Sequence, residues 1–276
     1  MAACVAPAPH EIPTPPPSRA AESAAPPACP AAAWSSAAAA NAASLGALAW
    51  APFGRPEKGW AAYVPLISRE ASTTCPPGSE GFAAAFAAWQ SAHGLAADGV
   101  GGEAAFLVMK GELQARRPFV RRPPGTCPET PDVIAQARPG EGLDGKTVWL
   151  QPAALAAYRR MVAAARAEVP EIAADPAALT IFSGYRSPSL DAARCRAEGD
   201  CDGVARAVCS SHRTGLTVDL YVGHAEGYDA DSTAAPSRLF LSRTAAYRWL
   251  VANAARFGFV NYAFEPWHWE WTGAPR

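Results

Sequence analysis

Apolar side chains at Phe82, Phe86 and Trp89 recur at i, i+4 and i+7, a spacing that predicts a helix with one buried face. Gly94 is placed to end it, and Asp98-Gly99 to turn the chain before a second short helix over about 103–113. Further on, Pro152 suits the first turn of a long Ala/Arg helix over 153–169. Residues 179–185 read as a short strand running into Gly184, and 188–197 as another helix. Positions 216–222 alternate with a period of two, so Thr217 and Asp219 share a face while Val218 and Leu220 face the core. Ala246, Trp249, Leu250 and Asn253 mark one face of a helix over 242–257 opened by a Ser242 cap, and the aromatic stretch 259–271 is strand-like. Helices interleaved with antiparallel-type strands predict an α+β fold, a small antiparallel sheet flanked by helices.

Composition divides the chain. Residues 1–44 are dominated by Ala, Pro and Ser, which bury too little apolar surface to offset ordering entropy, so they read as a disordered tether. A helical domain is expected over 45–119, a linker with Pro123, Pro124, Pro128 and Pro131 over 120–132, and a catalytic domain over 133–276. The basic cluster Arg116, Arg117, Arg121 and Arg122 reads as part of the solvated linker. Two domains so joined should be separable, with removal of 1–119 sparing hydrolysis of a small peptide.

Half of the residues are apolar and nine are Trp, enough for a sizeable core. A net charge of -1 gives no broad field for nucleic acid or an anionic membrane. No stretch is long and apolar enough to predict a transmembrane helix, and residues 1–10 lack the layout of a standard signal peptide. Met1-Ala2-Ala3-Cys4 resembles the tail of a lipoprotein cleavage box, which would place a lipid anchor at Cys4 and the true start upstream. Seven cysteines without a CxxC pair suit an exported protein of the periplasm or cell envelope. Disulfides are expected among Cys195, Cys201 and Cys209 or between Cys75 and Cys127, with Cys4 or Cys29 left over.

Candidate chemistry lies in two segments. His212 precedes a Gly-containing turn and Asp219 lies on the strand after it, so a loop folding back can bring both onto one ion. An Asp inside an apolar strand is costly unless paired or metal-bound, and this segment alone leaves both outcomes open. Glu265-Pro266-Trp267-His268-Trp269-Glu270 adds a second His among bulky aromatics. Two His and one carboxylate make a three-ligand zinc site with an open position for water, whose proton a nearby carboxylate can take. Glu265 and Glu270 compete for that role. Arg186, at the end of a strand, is a permanently charged planar donor suited to a carboxylate or a developing oxyanion.

The order SGYRS (183–187), SxHxxGxxxD (210–219) and ExWH (265–268) resembles the zinc D-alanyl-D-alanine carboxypeptidases of the VanX/VanY type, from about Val133 to the C-terminus. The resemblance implies His212, Asp219 and His268 as zinc ligands, Glu265 as catalytic base and Arg186 as the steadying arginine. It also implies substrate contacts from Ser210 and, within SGYRS, Ser183 and Tyr185. Thr217 departs from the family's usual Ala, and a Cys-rich insertion at 195–209 precedes His212. Upstream, the aromatic-Gln helix, His93-Gly94-Leu95 and the Asp98-Gly99-x-x-type turn resemble a peptidoglycan-binding module, although Gly102-Glu103-Ala104 replaces the usual Pro-x-Thr. Together these imply an exported, monomeric D,D-carboxypeptidase acting on peptidoglycan stem peptides. A peptidoglycan endopeptidase of the same family and a catalytically inactive wall-binding protein are the alternatives.

Overall fold

The computed structural model describes residues 29–121, 126–198 and 209–273. The expectations placed on Cys4, on the remainder of 1–28, on Arg122 and on Cys201 lie outside these residues.

Within the expected tether, residues 29–44 are instead structured: a 3-10 turn at Ala32–Trp34 leads into α1 (Ser35–Ser44). Alanine is the best helix former, but a distant loop fixes this helix in place. The buried Asn41 side chain donates from Nδ2 to the Gly99 carbonyl at 2.9 Å and accepts from the Gly101 N–H at 2.6 Å. A Cys29–Cys75 disulfide, Cα–Cα 5.6 Å, ties the start of this segment down. A short antiparallel pair, β1 (Ala49–Trp50) and β2 (Glu57–Lys58), precedes α2 (Val64–Glu70), α3 (Glu80–Ala92) and α4 (Glu103–Ala115). Ser79 caps α3, and Phe82, Phe86 and Trp89 are buried and stacked along its inner face. Gln90 organises the following turn: its Nε2 donates to Asp98 Oδ1 at 2.8 Å and its Oε1 accepts from the Gly99 N–H at 2.8 Å. Gly102 caps α4 with no side-chain hydrogen bond, the consequence of the departure from Pro-x-Thr.

The C-terminal part begins with the pair β3 (Ala135–Gln136) and β4 (Trp149–Leu150), followed by α5 (Pro152–Glu168) and α6 (Pro170–Ala174). Then come β5 (Ile181–Ser183), α7 (Pro188–Glu198), β6 (Thr217–Leu220), α8 (Ala235–Leu241), α9 (Ala245–Asn253), β7 (Phe259–Tyr262) and β8 (Glu265–Trp271). Four of these strands form one antiparallel sheet in the order β5-β6-β8-β7, so the fold is α+β. β5 starts later than expected because Leu179 adopts a left-handed φ of 64° and turns the chain. The expected helix over 242–257 is shorter: α9 covers Ala245–Asn253 and a 3-10 turn, Ala254–Phe257, follows it, while Ser242 ends α8 and the cap of α9 is Thr244, which accepts from the Tyr247 N–H.

One hydrophobic cluster runs through both parts, from Trp50 to Trp269. Phe53 packs against Tyr262 and Phe264 at ring distances of 5.8 and 5.1 Å. The basic cluster is not a solvated run: Arg116 forms a two-point pair with Glu70, and Arg117 is buried against Glu270. Acidic partners supplied by distant segments draw both arginines inward, leaving Arg121 exposed. The expected Cys75–Cys127 pair, the pairing of Cys209 with Cys195 or Cys201 and a left-over Cys29 are likewise corrected. Cys75 pairs with Cys29, and Cys127 pairs with Cys209 at Cα–Cα 5.1 Å, across 82 residues of chain; Cys195 is disulfide-bonded as well.

Candidate metal centre

The sheet brings the candidate ligands into one row. Asp219 on β6 stands opposite Ser183 on β5 and opposite His268 on β8, and cross-strand partners of this kind project to the same face. On the other face Val218, Leu220 and Trp269 enter the core. His212 arrives from the 3-10 turn Ser211–Thr214, capped by Ser210 and closed by Gly215 in the left-handed region at φ 67°. One donor atom from each of His212, Asp219 and His268 lies within 4.8 Å of the others, and all three residues are buried.

Hydrogen bonds fix which atoms face inward. The Gly184 carbonyl lies 2.7 Å from His212 Nδ1, so that nitrogen carries the proton and Nε2 presents a lone pair. Gly184 is required here: a Cβ would meet Val148 Cγ1 at 2.5 Å and the Trp149 carbonyl at 2.6 Å. His212 Nε2 sits 3.1 Å from Asp219 Oδ2, yet it is buried without a hydrogen bond. Two lone pairs therefore face each other across a gap with no proton between them, an arrangement that a cation relieves. Burial and the charge of Arg186 push His212 down to about 4, keeping it neutral. Burial alone would favour a protonated Asp219, but the two imidazoles hold its carboxyl well below the usual range, so it stays ionised. His268 presents Nδ1 to Asp219 Oδ1 at 3.0 Å. Burial works against its charge too, but Asp219, Glu270 and Glu265 outweigh that and raise it to about 9. A neutral imidazole, an anionic carboxylate and a second imidazole surrounded by acids fit a divalent cation such as zinc.

The two candidate bases occupy opposite sides of His268. Glu265 Oε2 lies 3.6 Å from Nδ1, on the side of the donor cluster, whereas Glu270 Oε1 faces Nε2 at 3.4 Å. Strict alternation would put Glu265 on the far face from His268. A register shift intervenes: Asn261 pairs with Trp269 but Tyr262 pairs with Glu265, and this bulge brings positions i and i+3 to one side. Glu270 is also engaged elsewhere. Burial would raise its pKa, but Arg117, His268 and the Phe119 N–H bring it down to about 2.

Residues 147–274 match the family model VanY, D-alanyl-D-alanine carboxypeptidase. This part of the chain carries a VanY-type domain. The match spans every candidate ligand and both acids, and the family is one of peptidoglycan hydrolases of the D-alanyl-D-alanine carboxypeptidase type. A search of curated proteins finds no match to the chain.

In the VanY-type region the cleft over the donor cluster is lined by Ser183, Arg186, Ser210, Ser211, Glu265 and Trp267 around the three ligands. Arg186 is held there: Nε donates to Ser183 Oγ at 3.2 Å and Nη2 to Asp219 Oδ2 at 3.4 Å. Tyr185 does not line the cleft; its backbone N–H donates to the Trp149 carbonyl at 2.7 Å and so anchors the end of β5. Thr217 lies on the ligand face opposite Glu270. The structure adds residues that sequence reasoning passed over. Lys146 and Arg194 line the same cleft, and so do Arg117 and Phe119 from the helical part. Arg117 stood in a charge run and Phe119 at the edge of a linker, so nothing local marked either one. Among the described residues no helix is long and apolar enough to cross a membrane.

Proposed function

We propose that the chain is an exported zinc peptidase that removes the terminal D-alanine from peptidoglycan stem peptides. The observation that carries this reading is the buried His212–Asp219–His268 cluster, with the Glu265 carboxylate 3.6 Å from His268 Nδ1. His212, Asp219 and His268 would hold the ion. When bound, zinc lowers the pKa of a coordinated water from 15.7 toward about 7 and polarises the scissile carbonyl.

The protein's own groups do the rest. Glu265 accepts the proton of the attacking water and returns it to the departing amine nitrogen. The Arg186 guanidinium, steadied by Ser183, stabilises the negative charge that develops on the carbonyl oxygen. Ser210 lies at the mouth of the ligand turn, within reach of a bound peptide. Lys146, Arg186 and Arg194 line the cleft beside the ligands, and cations so placed suit a substrate with a free C-terminal carboxylate over a mid-chain segment. The helical part, with its Gln90-pinned turn, would keep the enzyme on the wall polymer.

The test is to load purified protein with zinc and offer a stem pentapeptide, following products by mass spectrometry. Stoichiometric zinc and release of one D-alanine are expected. Cleavage inside the stem would replace the carboxypeptidase by the endopeptidase, and absence of zinc and turnover would leave the inactive wall-binding reading. Glu265→Ala should keep the metal and lose about 10²–10⁴-fold in turnover. Near-normal activity in that variant would remove Glu265 from its role.

A further inference from the structure

We propose that the helical part completes the active site: Arg117 is a positioning residue that orients the metal ligand His268 through Glu270. This rests on the reading that His212, Asp219 and His268 hold zinc. Arg117 follows α4, yet it is only 6% exposed and lies against β8. Its Nε and Nη2 both donate to Glu270 Oε1, at 2.8 and 2.6 Å, while Glu270 Oε2 accepts from the Phe119 N–H at 3.1 Å. Gln114 Oε1 receives Arg117 Nη1 at 3.0 Å, so the guanidinium is itself held in place.

The fixed carboxylate then acts on the imidazole. Glu270 Oε1 lies 3.4 Å and Ser211 Oγ 3.2 Å from His268 Nε2, the nitrogen that carries the proton when Nδ1 faces the ion. A ligand imidazole whose second nitrogen donates to a held carboxylate keeps its ring orientation and becomes a better donor. The guanidinium also stacks on Tyr262 at 4.1 Å, and Tyr262 stands edge-on to His268 with ring centroids 5.8 Å apart. Two of the groups that frame the imidazole thus depend on one arginine from the other part of the chain. Without Arg117, Glu270, 1% exposed, would be a buried carboxylate stripped of its guanidinium partner and of two of its hydrogen bonds beside a metal ligand. The expectation that residues 1–119 can be removed without loss of small-peptide hydrolysis fails on this geometry.

A role confined to joining the two parts would lower stability only, so the experiment reads zinc affinity. Metal-free full-length protein competes for zinc with a chromophoric chelator, and kcat, KM and Tm are measured alongside. Arg117→Met and Glu270→Gln are each expected to weaken zinc binding about 10–100-fold and to lower kcat with KM little changed. The double variant should lose little more than either single one. Arg238→Met breaks a different contact between the same two parts and is expected to lower Tm with zinc affinity unchanged. Should Arg117→Met not fold, Arg117→Lys keeps the charge without the two-point fork and should still bind zinc more weakly than wild type. Wild-type zinc affinity in the folded Arg117 variants, with only Tm reduced, would overturn the proposal. A wild-type protein that binds no zinc would instead overturn the zinc peptidase reading, and the proposal with it.

Discussion

Two charged clusters in this molecule differ in whether their charges are matched from within. In the first, Arg238 meets Glu57 at 3.1 Å and also bonds the Tyr63 hydroxyl, which donates to Glu57 at 2.8 Å, and the guanidinium lies 4.2 Å from the Phe264 ring centre. One cation faces one anion, so the charges balance within the cluster. In the second, His212 offers a lone pair to a carboxylate oxygen 3.1 Å away and a further carboxylate waits on the same side. A balanced set holds two segments together, whereas a set with lone pairs facing one another is complete only with something added. Both clusters sit beside the sheet, so burial alone does not distinguish the structural one from the chemical one.

His212→Ala tests the open cluster and should have the largest effect. Enzymatic rate enhancements are typically about 10⁶-fold or more, about 8 kcal/mol, and losing the ion should forfeit most of that. Zinc at about 100 times its Kd should stabilise the wild type by about 2.7 kcal/mol and the variant by nothing, which thermal unfolding with and without zinc measures. A zinc-induced rise in Tm that survives in His212→Ala would remove the residue from the ligand set.

Arg238→Met tests the closed cluster. It strands Glu57, whose side chain is 9% exposed, beside Tyr63, and breaking a largely buried pair from one side costs about 3 kcal/mol. Denaturant unfolding should show that loss at every zinc concentration, while the stabilisation added by zinc stays at its wild-type size. A Tm unchanged by this substitution would mean that the pair does not join the two segments, and the contrast between the clusters would fail.

What the sequence disclosed follows the same division. Local spacing was enough for α3, α5 and α7, because periodicity and caps are properties of neighbouring residues. His212, Asp219, Arg186 and His268 were legible because three motifs kept their order and because a carboxylate in an apolar strand needs an explanation. The partners that lie far along the chain were not. Arg117 and Glu270 are 153 residues apart, and Cys127 and Cys209 are 82 apart, so no local pattern joins them. Residues 35–44 looked like tether by composition and became helical, anchored by Asn41 reaching loop atoms about 60 residues away. The bulge that turns Glu265 toward His268 was hidden as well, since strand alternation by itself favours Glu270.

A third pair, nearer to solvent, sets the lower end of the scale. Glu141 accepts from Arg159 Nε at 2.7 Å and Nη2 at 2.8 Å and from the Arg138 N–H at 2.6 Å. Burial pushes its pKa up, but these donors more than offset that and leave it below the ordinary carboxyl value. The sign follows: a carboxyl whose pKa is depressed on folding stabilises the protein above its unfolded pKa and loses that contribution as pH falls through the folded value. Glu141→Gln should therefore cost about 0.5 kcal/mol at pH 7, discounted for screening by water, and almost nothing near pH 3. Urea unfolding of both proteins at the two pH values measures the gap. An equal gap at both would show that the hydrogen-bond geometry of this side chain, and not its charge, is what the β5 edge uses, and would place the pair beside the Glu57–Arg238 cluster as a structural joint.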